Sequence, residues 1–97
     1  DAITGNTTLT NIIPAGYAIE SIAWRETAGG TVAGFDIGTS SGGQQIVADM
    51  SITANGSGFC TIVGQPESVT AADTLYVNGT WSSASVNLWF RLKRVAL

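Results

Sequence analysis

Histidine is absent from this 97-residue chain, and cysteine occurs only once, at Cys60. Without histidine the chain has no Ser-His or Cys-His dyad, and it lacks both the usual general base and the commonest metal ligand. One cysteine forms no intrachain disulfide and leaves too few nitrogen and sulfur ligands for a zinc site. These absences predict a non-enzymatic protein that requires no metal and no cofactor.

Charged residues are also scarce, at 11% of the chain against about 25% in an average soluble domain. The net charge of −3 repels polyphosphate, which argues against nucleic acid as a partner. No apolar run approaches the roughly 20 residues of a membrane-spanning helix, so membrane insertion is not expected. Three of the four bases, Arg91, Lys93 and Arg94, are expected to be solvated charges of an edge strand.

The seven acidic residues leave one enzymatic alternative open. Paired carboxylates can hydrolyse a glycosidic bond, and Glu20, Glu26, Asp36 and Asp49 would be the residues to converge. Nothing in their spacing requires such a pair, so solvated charges on strand faces are the preferred interpretation. The chain also lacks the D-x-D-x-D-G pattern of a calcium loop and the lysine of a phosphate-binding loop.

Glycine, hydroxyl-bearing residues and β-branched residues are what the chain has in quantity. Twelve glycines and two prolines leave few windows of ten residues with the 3.6-residue period of a helix. Apolar and polar residues alternate between turn signals, which predicts seven to eight short strands. The clearest segments are 7–13, 17–27, 31–37, 45–54, 59–63, 74–78 and 85–95. This spacing is typical of an all-β fold, and we expect one antiparallel β-sandwich of jelly-roll type over residues 1–97.

Two local details refine this prediction. Ile19 and Ile22 are three positions apart, and a β-bulge between them would place Ile19, Ile22 and Trp24 on one face. Asn55-Gly56 is a hairpin signal because both residues tolerate positive φ, and Asn78-Gly79 predicts another turn.

The last segment, SVNLWFRLKRV, raises the question of function. Its even positions are apolar, whereas its odd positions include Trp89, Arg91 and Lys93, so Trp89 is expected on the polar face. We rank three interpretations of this face. A subunit interface comes first, because Trp and Arg are typical anchors. Cover by the Arg91 and Lys93 stems or by a loop comes second, and a stacking platform for a sugar ring comes third.

Trp81 is the other candidate contact residue. It follows the Asn78-Gly79 signal, so it is expected near a loop, at the rim of a ligand-binding surface. The candidate interface or ligand-contact residues are therefore Trp89, Arg91, Lys93 and Trp81.

Several motifs of the chain resemble those of small β modules in tailed-phage virion surface proteins, namely head fibres, capsid decoration proteins and tail-fibre tips. They are a proline-glycine-tyrosine entry into an I-E-x-I strand, an I-G-T loop, an L-Y-V strand and a closing alternating strand. The matching positions are Pro14, Gly16, Tyr17, Ile19, Glu20 and Ile22, then Ile37, Gly38 and Thr39, then Leu75, Tyr76 and Val77, and finally 86–92. The resemblance runs from about Ile13 to Val95.

This resemblance implies a non-enzymatic structural module on the surface of the extracellular phage particle. It implies a homotrimer that contacts other virion proteins, with the outward face of one strand buried between copies. The alternative is a carbohydrate-binding or host-adhesion module of a fibre tip or of a secreted bacterial protein. In that case Trp81 and the loops at 38–43 and 55–58 would contact a host surface glycan, an argument from fold-level analogy.

Overall fold

The computed structural model describes residues 2–66 and 70–95, and these residues form strands, turns and loops without any helix. Accordingly, the described part of the chain holds no helix long and apolar enough to cross a membrane. The strands are β1 (Thr7–Ile13), β2 (Tyr17–Glu26), β3 (Thr31–Gly38), β4 (Val47–Ile52), β5 (Ser57–Phe59), β6 (Asp73–Ser82) and β7 (Val86–Arg94). The all-β prediction is confirmed.

The strands are arranged in two antiparallel sheets that pack as a sandwich. One sheet has four strands in the order β1-β6-β3-β4, and the other has three in the order β5-β2-β7. Their inner faces supply one core, whose fully buried side chains include Phe35, Ile13, Ile22, Ile37 and Leu75. Burial of this set is the main source of stability, because each such side chain contributes about 1.5–3 kcal/mol relative to an exposed one.

The predicted bulge in β2 is confirmed. The register of β2 against β7 shifts between Ile19 and Ser21, and Ile19, Ile22 and Trp24 are all buried. The side chain of Gln65 completes the hydrogen bonding there. Its Oε1 accepts from the Ile19 N–H at 2.8 Å, and its Nε2 donates to the Ile19 carbonyl at 2.9 Å. An amide side chain therefore replaces a strand partner at the irregular position.

Two turn predictions differ from the structure. Asn55 has positive φ and lies in a turn, but that turn joins β4 to β5, which belong to different sheets and do not pair. The hairpin prediction is therefore wrong. Asn78-Gly79 is not a turn, since β6 continues through both residues to Ser82. The backbone N–H of Gly79 donates a hydrogen bond to Asn6 Oδ1 at 2.9 Å.

The predicted strand at 59–63 is also different, because β5 ends at Phe59. The chain after it passes from one sheet to the other. The Cys60 N–H donates to the Ile22 carbonyl at 2.8 Å, whereas the Val63 N–H donates to the Ile46 carbonyl at 2.8 Å. A segment whose successive backbone bonds reach different sheets cannot form one ladder.

Candidate functional site

The candidate site is the outer face of the three-stranded sheet. Ala23 of β2 lies opposite Phe59 of β5 and also opposite Trp89 of β7, so the three residues form one row across the sheet. Phe59 is 72% exposed and Trp89 is 55% exposed. Adjacent strands are about 4.8 Å apart, so two large rings flank a small side chain on a solvent-facing surface.

Alternation in β7 explains why a tryptophan faces solvent. Leu88, Phe90 and Leu92 are half-buried and pack against the core. Because successive side chains of a strand point to opposite faces, the residues between them point outward. This confirms the predicted alternation. It also shows that the stems of Arg91 and Lys93 do not cover Trp89, since more than half of that side chain remains exposed.

Phe59 completes the row, because it lies on the solvent side of the sheet although it belongs to an apolar run. The structure packs Ile62 against the core and leaves Phe59 outside. The neighbouring residue, Cys60, indicates from the sequence that Phe59 points outward. If Cys60 is the buried hydrophobe that its apolar run indicates, then Phe59 must point the other way.

The outer face is basic. All four bases of the chain lie on β2 and β7, and three of them, Arg25, Arg91 and Lys93, have the alternation of the outer face, whereas Arg94 ends β7 on the opposite parity. Arg25 is in the row next to the aromatic one, opposite both Ser57 and Asn87. Glu20 forms an ion pair with this cluster: its Oε2 lies 3.5 Å from Arg91 Nε, with the Glu20 and Arg91 side chains 48% and 77% exposed. A pair this exposed contributes little to stability.

The other sheet has the opposite character. Asp36, Asp49 and Asp73 lie on β3, β4 and β6, and none of the chain's bases is on that sheet. Asp36 Oδ1 accepts from the Asp49 N–H at 2.8 Å and from Gln44 Nε2 at 3.1 Å. Gln44 Nε2 also donates to Asp49 Oδ1 at 3.3 Å. These two carboxylates come together, but Asp36 is buried and serves to fix the β3–β4 pairing.

Glu26 is a buried carboxylate at the end of β2, only 1% exposed. It accepts backbone hydrogen bonds from three separate turns, with donors Ala28, Gly29, Asn55 and Ser85. The bond from Asn55 has the largest effect on its pKa. Together these bonds outweigh the opposing effect of burial and lower the pKa of Glu26 from 4.5 to about 2. The residue is therefore an ionised structural anchor.

Trp81 lies on β6, in the other sheet from Trp89. Its indole N–H donates to Asn6 Oδ1 at 2.8 Å, and its ring meets Phe35 edge-on, with the centroids 6.1 Å apart. The structure thus brings Trp89, Arg91 and Lys93 together on β7 and leaves Trp81 outside this group, packed against the core.

Within residues 2–66 and 70–95, no group of three or more His, Cys, Asp or Glu side chains could hold a metal ion. Cys60 is buried, and burial raises the pKa of its thiol to about 12. A thiol with this pKa stays protonated near neutral pH, so Cys60 is a packing residue rather than a nucleophile.

Comparison of the chain with protein-family models, with curated proteins and with solved structures finds no match.

Proposed function

We propose that this chain is a non-enzymatic structural module that acts by contact, through the outer face of its three-stranded sheet. The observation that carries this proposal is the row of Phe59, Ala23 and Trp89, with both aromatic rings largely exposed. Exposed aromatic residues beside arginine are typical anchors of protein interfaces. The partner that we propose is another copy of the same chain.

The energetics support a contact of this kind. The exposed parts of one Phe and one Trp side chain amount to roughly 250 Å² of largely apolar surface. At about 25 cal/mol per Å², covering them contributes on the order of 6 kcal/mol before the cost of ordering two molecules. A small domain with only a modest stability of its own gains from such association.

The biological setting follows from the resemblance in the sequence. We propose a module on the surface of a phage particle, as a capsid decoration or head-fibre domain, with three copies as the expected number in the assembly. In this setting the hydroxyl-rich outer surface of the four-stranded sheet stays in solvent, and the aromatic face meets the neighbouring copy.

Light scattering coupled to size-exclusion chromatography at micromolar concentration tests the contact. We expect the unmodified chain to elute as an oligomer, and Trp89→Ala and Phe59→Ala to shift the mass toward the monomer. Val63→Ala is the matched control, because Val63 is 61% exposed but does not belong to the aromatic row. A monomeric unmodified chain, or an oligomer indifferent to both aromatic substitutions, overturns the proposal.

The second candidate function is carbohydrate binding at the same face. It is favoured by two rings on either side of a small residue, which leaves room for a sugar ring to stack, with Arg25 one row away to bind its oxygens. A glycan array and tryptophan fluorescence titrations test it. The absence of both array hits and fluorescence shifts removes this candidate, whereas binding that is lost in Trp89→Ala and kept in Val63→Ala supports it.

A further inference from the structure

A polar recess lies on the outer surface of the four-stranded sheet, on the opposite side of the sandwich from Trp89. It has a volume of about 170 Å³ and lies between the start of β1, the middle of β6 and the loop that joins β3 to β4. Within the described part of the chain, no charged side chain lines it. The residues that line it include Asn6, Thr8, Ser41, Gly42, Tyr76 and Asn78.

The sheet brings three of these side chains to one surface. Thr8 of β1 lies opposite Tyr76 of β6, which in turn lies opposite Gly38 of β3. Asn78 is two positions beyond Tyr76 on the same strand, so its side chain points to the same side of the sheet. Val77, which lies between them, is buried in the core. Thr8, Tyr76 and Asn78 therefore belong to the solvent side.

The side-chain amide of Asn6 has a fixed orientation at one end of the recess. Its Oδ1 accepts hydrogen bonds from the Gly79 N–H at 2.9 Å and from the indole N–H of Trp81 at 2.8 Å. These two bonds use both acceptor positions of that oxygen. Among residues 2–66 and 70–95, Nδ2 of Asn6 has no hydrogen-bond partner. Its two N–H groups are therefore left to bind water or a ligand.

Asn78 supplies a second amide without a partner. Its side chain makes no hydrogen bond to any other described residue. A methyl group in place of a hydrogen of Gly42 would lie 3.9 Å from Nδ2 of Asn78, so this amide lies close to the loop that forms the other side of the recess.

Hydrogen bonds hold that loop in place. The Gly43 N–H donates to the Ser40 carbonyl at 2.9 Å, and the Thr39 N–H donates to Oε1 of Gln45 at 2.9 Å. The side of the recess that Ser41 contributes is thus formed before any ligand arrives. A preformed site avoids the entropy cost of ordering a loop upon binding.

Charge limits the class of ligand that the recess can take. The strands of this sheet carry Asp36, Asp49 and Asp73 but no base, so their field repels an anion such as phosphate. A metal ion is also a poor fit, since the described residues contain no group of three or more His, Cys, Asp or Glu side chains that could hold one. Uncharged amides and hydroxyls supply both donors and acceptors, which matches a neutral molecule with several hydroxyl groups.

We propose that this recess binds a single neutral hexose ring. The free N–H groups of Asn6 and Asn78 donate to hydroxyl oxygens of the sugar, and the hydroxyls of Thr8 and Tyr76 complete the hydrogen bonding. The recess is smaller than the roughly 300–1,000 Å³ of sites for drug-sized ligands, so one ring is the expected size. Binding by so few atoms should be weak, with a Kd in the millimolar range.

The recess and the outer face of the three-stranded sheet are independent sites. The recess is on β1, β6 and the β3–β4 loop, whereas the row of Phe59, Ala23 and Trp89 is on β5, β2 and β7. In the assembly proposed above, the four-stranded sheet stays in solvent, so each copy would present one open recess.

Heteronuclear NMR titrations test the proposal. The probes are the methyl glycosides of glucose, galactose, mannose and N-acetylglucosamine, each added to concentrations well above the millimolar range. We expect at least one of them to shift the side-chain amide signals of Asn6 and Asn78 and the backbone amide of Gly42, with saturation. Shifts that stay linear for all four glycosides overturn the proposal.

Three variants assign the binding to the recess. Asn78→Ala removes a free amide that the fold does not use, and it should weaken binding roughly tenfold. Asn6→Asp keeps an oxygen for Gly79 and Trp81 but loses the N–H donors, so it should weaken binding as well. Thr80→Ala is the matched control, because Thr80 is exposed two positions farther along β6 and does not line the recess. It should leave binding unchanged.

Saturable binding that survives both Asn78→Ala and Asn6→Asp overturns the proposal. Binding that is lost in Trp89→Ala and kept in Asn78→Ala also overturns it, because that result assigns the sugar to the outer face. Binding that is lost in Asn78→Ala and kept in Trp89→Ala supports the recess.

The outcome for the recess is separable from the outcome for assembly. Asn78→Ala should leave the mass measured by light scattering unchanged. An oligomer that depends on Trp89, in a chain that binds no glycoside, supports the proposed contact and overturns only the recess. A monomeric chain that binds a glycoside at Asn6 and Asn78 supports the recess and overturns the proposed contact.

Discussion

Glu26 Oε1 accepts a hydrogen bond from the backbone N–H of Asn55 at 2.8 Å, across 29 residues of sequence. The same carboxylate holds the turn after β2 and the turn before β7. One buried charge thus ties together three connections at one end of the sandwich. Because its bonds are made to the ionised form, its contribution to folding depends on pH.

Glu26 makes the chain sensitive to acid. Its pKa is 4.5 as a free side chain and about 2 in the folded protein, so the unfolded chain takes up the proton first as the pH falls. The stability from this group should be complete above about pH 5 and be lost progressively between pH 4.5 and 2. Urea unfolding midpoints measured across this range test the expectation.

Glu26→Gln is the control for this pH dependence. The glutamine amide cannot titrate. Its NH2 group would face backbone N–H groups from which it cannot accept hydrogen bonds, so the variant should be less stable than the unmodified chain at pH 7. Its midpoint should also fall less than that of the unmodified chain between pH 5 and 3. Parallel pH profiles for the two proteins would show that other carboxylates determine the acid response.

Gln65 should contribute to stability through its two bonds to Ile19. Gln65→Ala removes both partners of a buried backbone position at the bulge, and we expect a loss of about 1–3 kcal/mol in the free energy of unfolding. Urea denaturation measures it. Gln44→Ala, which removes two bonds to the more exposed Asp36–Asp49 pairing, should cost less. Equal losses would contradict the assignment of Gln65 as a strand substitute.

Trp89 and Phe59 should affect assembly more than folding. Both side chains are largely exposed, so Trp89→Ala and Phe59→Ala should change the stability of the isolated protomer by less than about 1 kcal/mol. Ile22→Ala, a fully buried site, should cost about 2–5 kcal/mol. Thermal unfolding at low protein concentration checks this contrast. A core-sized loss for either aromatic variant would mean that its ring supports the fold itself.

Cys60 should be unreactive in the folded protein. Its thiol is 7% exposed, and its pKa is raised to about 12, so both access and thiolate population are low near neutral pH. A thiol reagent should label the chain in denaturant and leave it almost unlabelled under native conditions, as intact mass would show. Rapid native labelling would indicate that the segment after β5 opens readily.

Local patterns allowed the faces of the strands to be predicted. Alternation identified the inner side of β7, and the three-residue spacing of Ile19 and Ile22 located the bulge. Both are consequences of side-chain direction within one strand. Which strands would pair was not visible, because pairing is a contact between distant segments. Asn55-Gly56 was therefore predicted to form a hairpin, whereas the chain passes from one sheet to the other at this point.

The candidate site was predicted only in part for the same reason. Trp89 was identified from its own strand, whereas its neighbour Phe59 comes from β5, 30 positions earlier, and shares a row with it only through Ala23. Trp81 was assigned to a rim because Asn78-Gly79 was interpreted as a turn, which would have placed Trp81 near a loop. The acceptor of its indole N–H, Asn6, is 75 residues away in sequence.

The strands of the two sheets carry opposite net charge, because the three-stranded sheet holds four bases and two acids whereas the four-stranded sheet holds three acids and no base, and this difference creates an electric dipole across the sandwich. Near a negatively charged surface, this dipole orients the same side of every molecule toward that surface while the molecules are still diffusing. Copies would arrive pre-oriented, and dissolved salt would weaken this alignment as it shortens the range of the field.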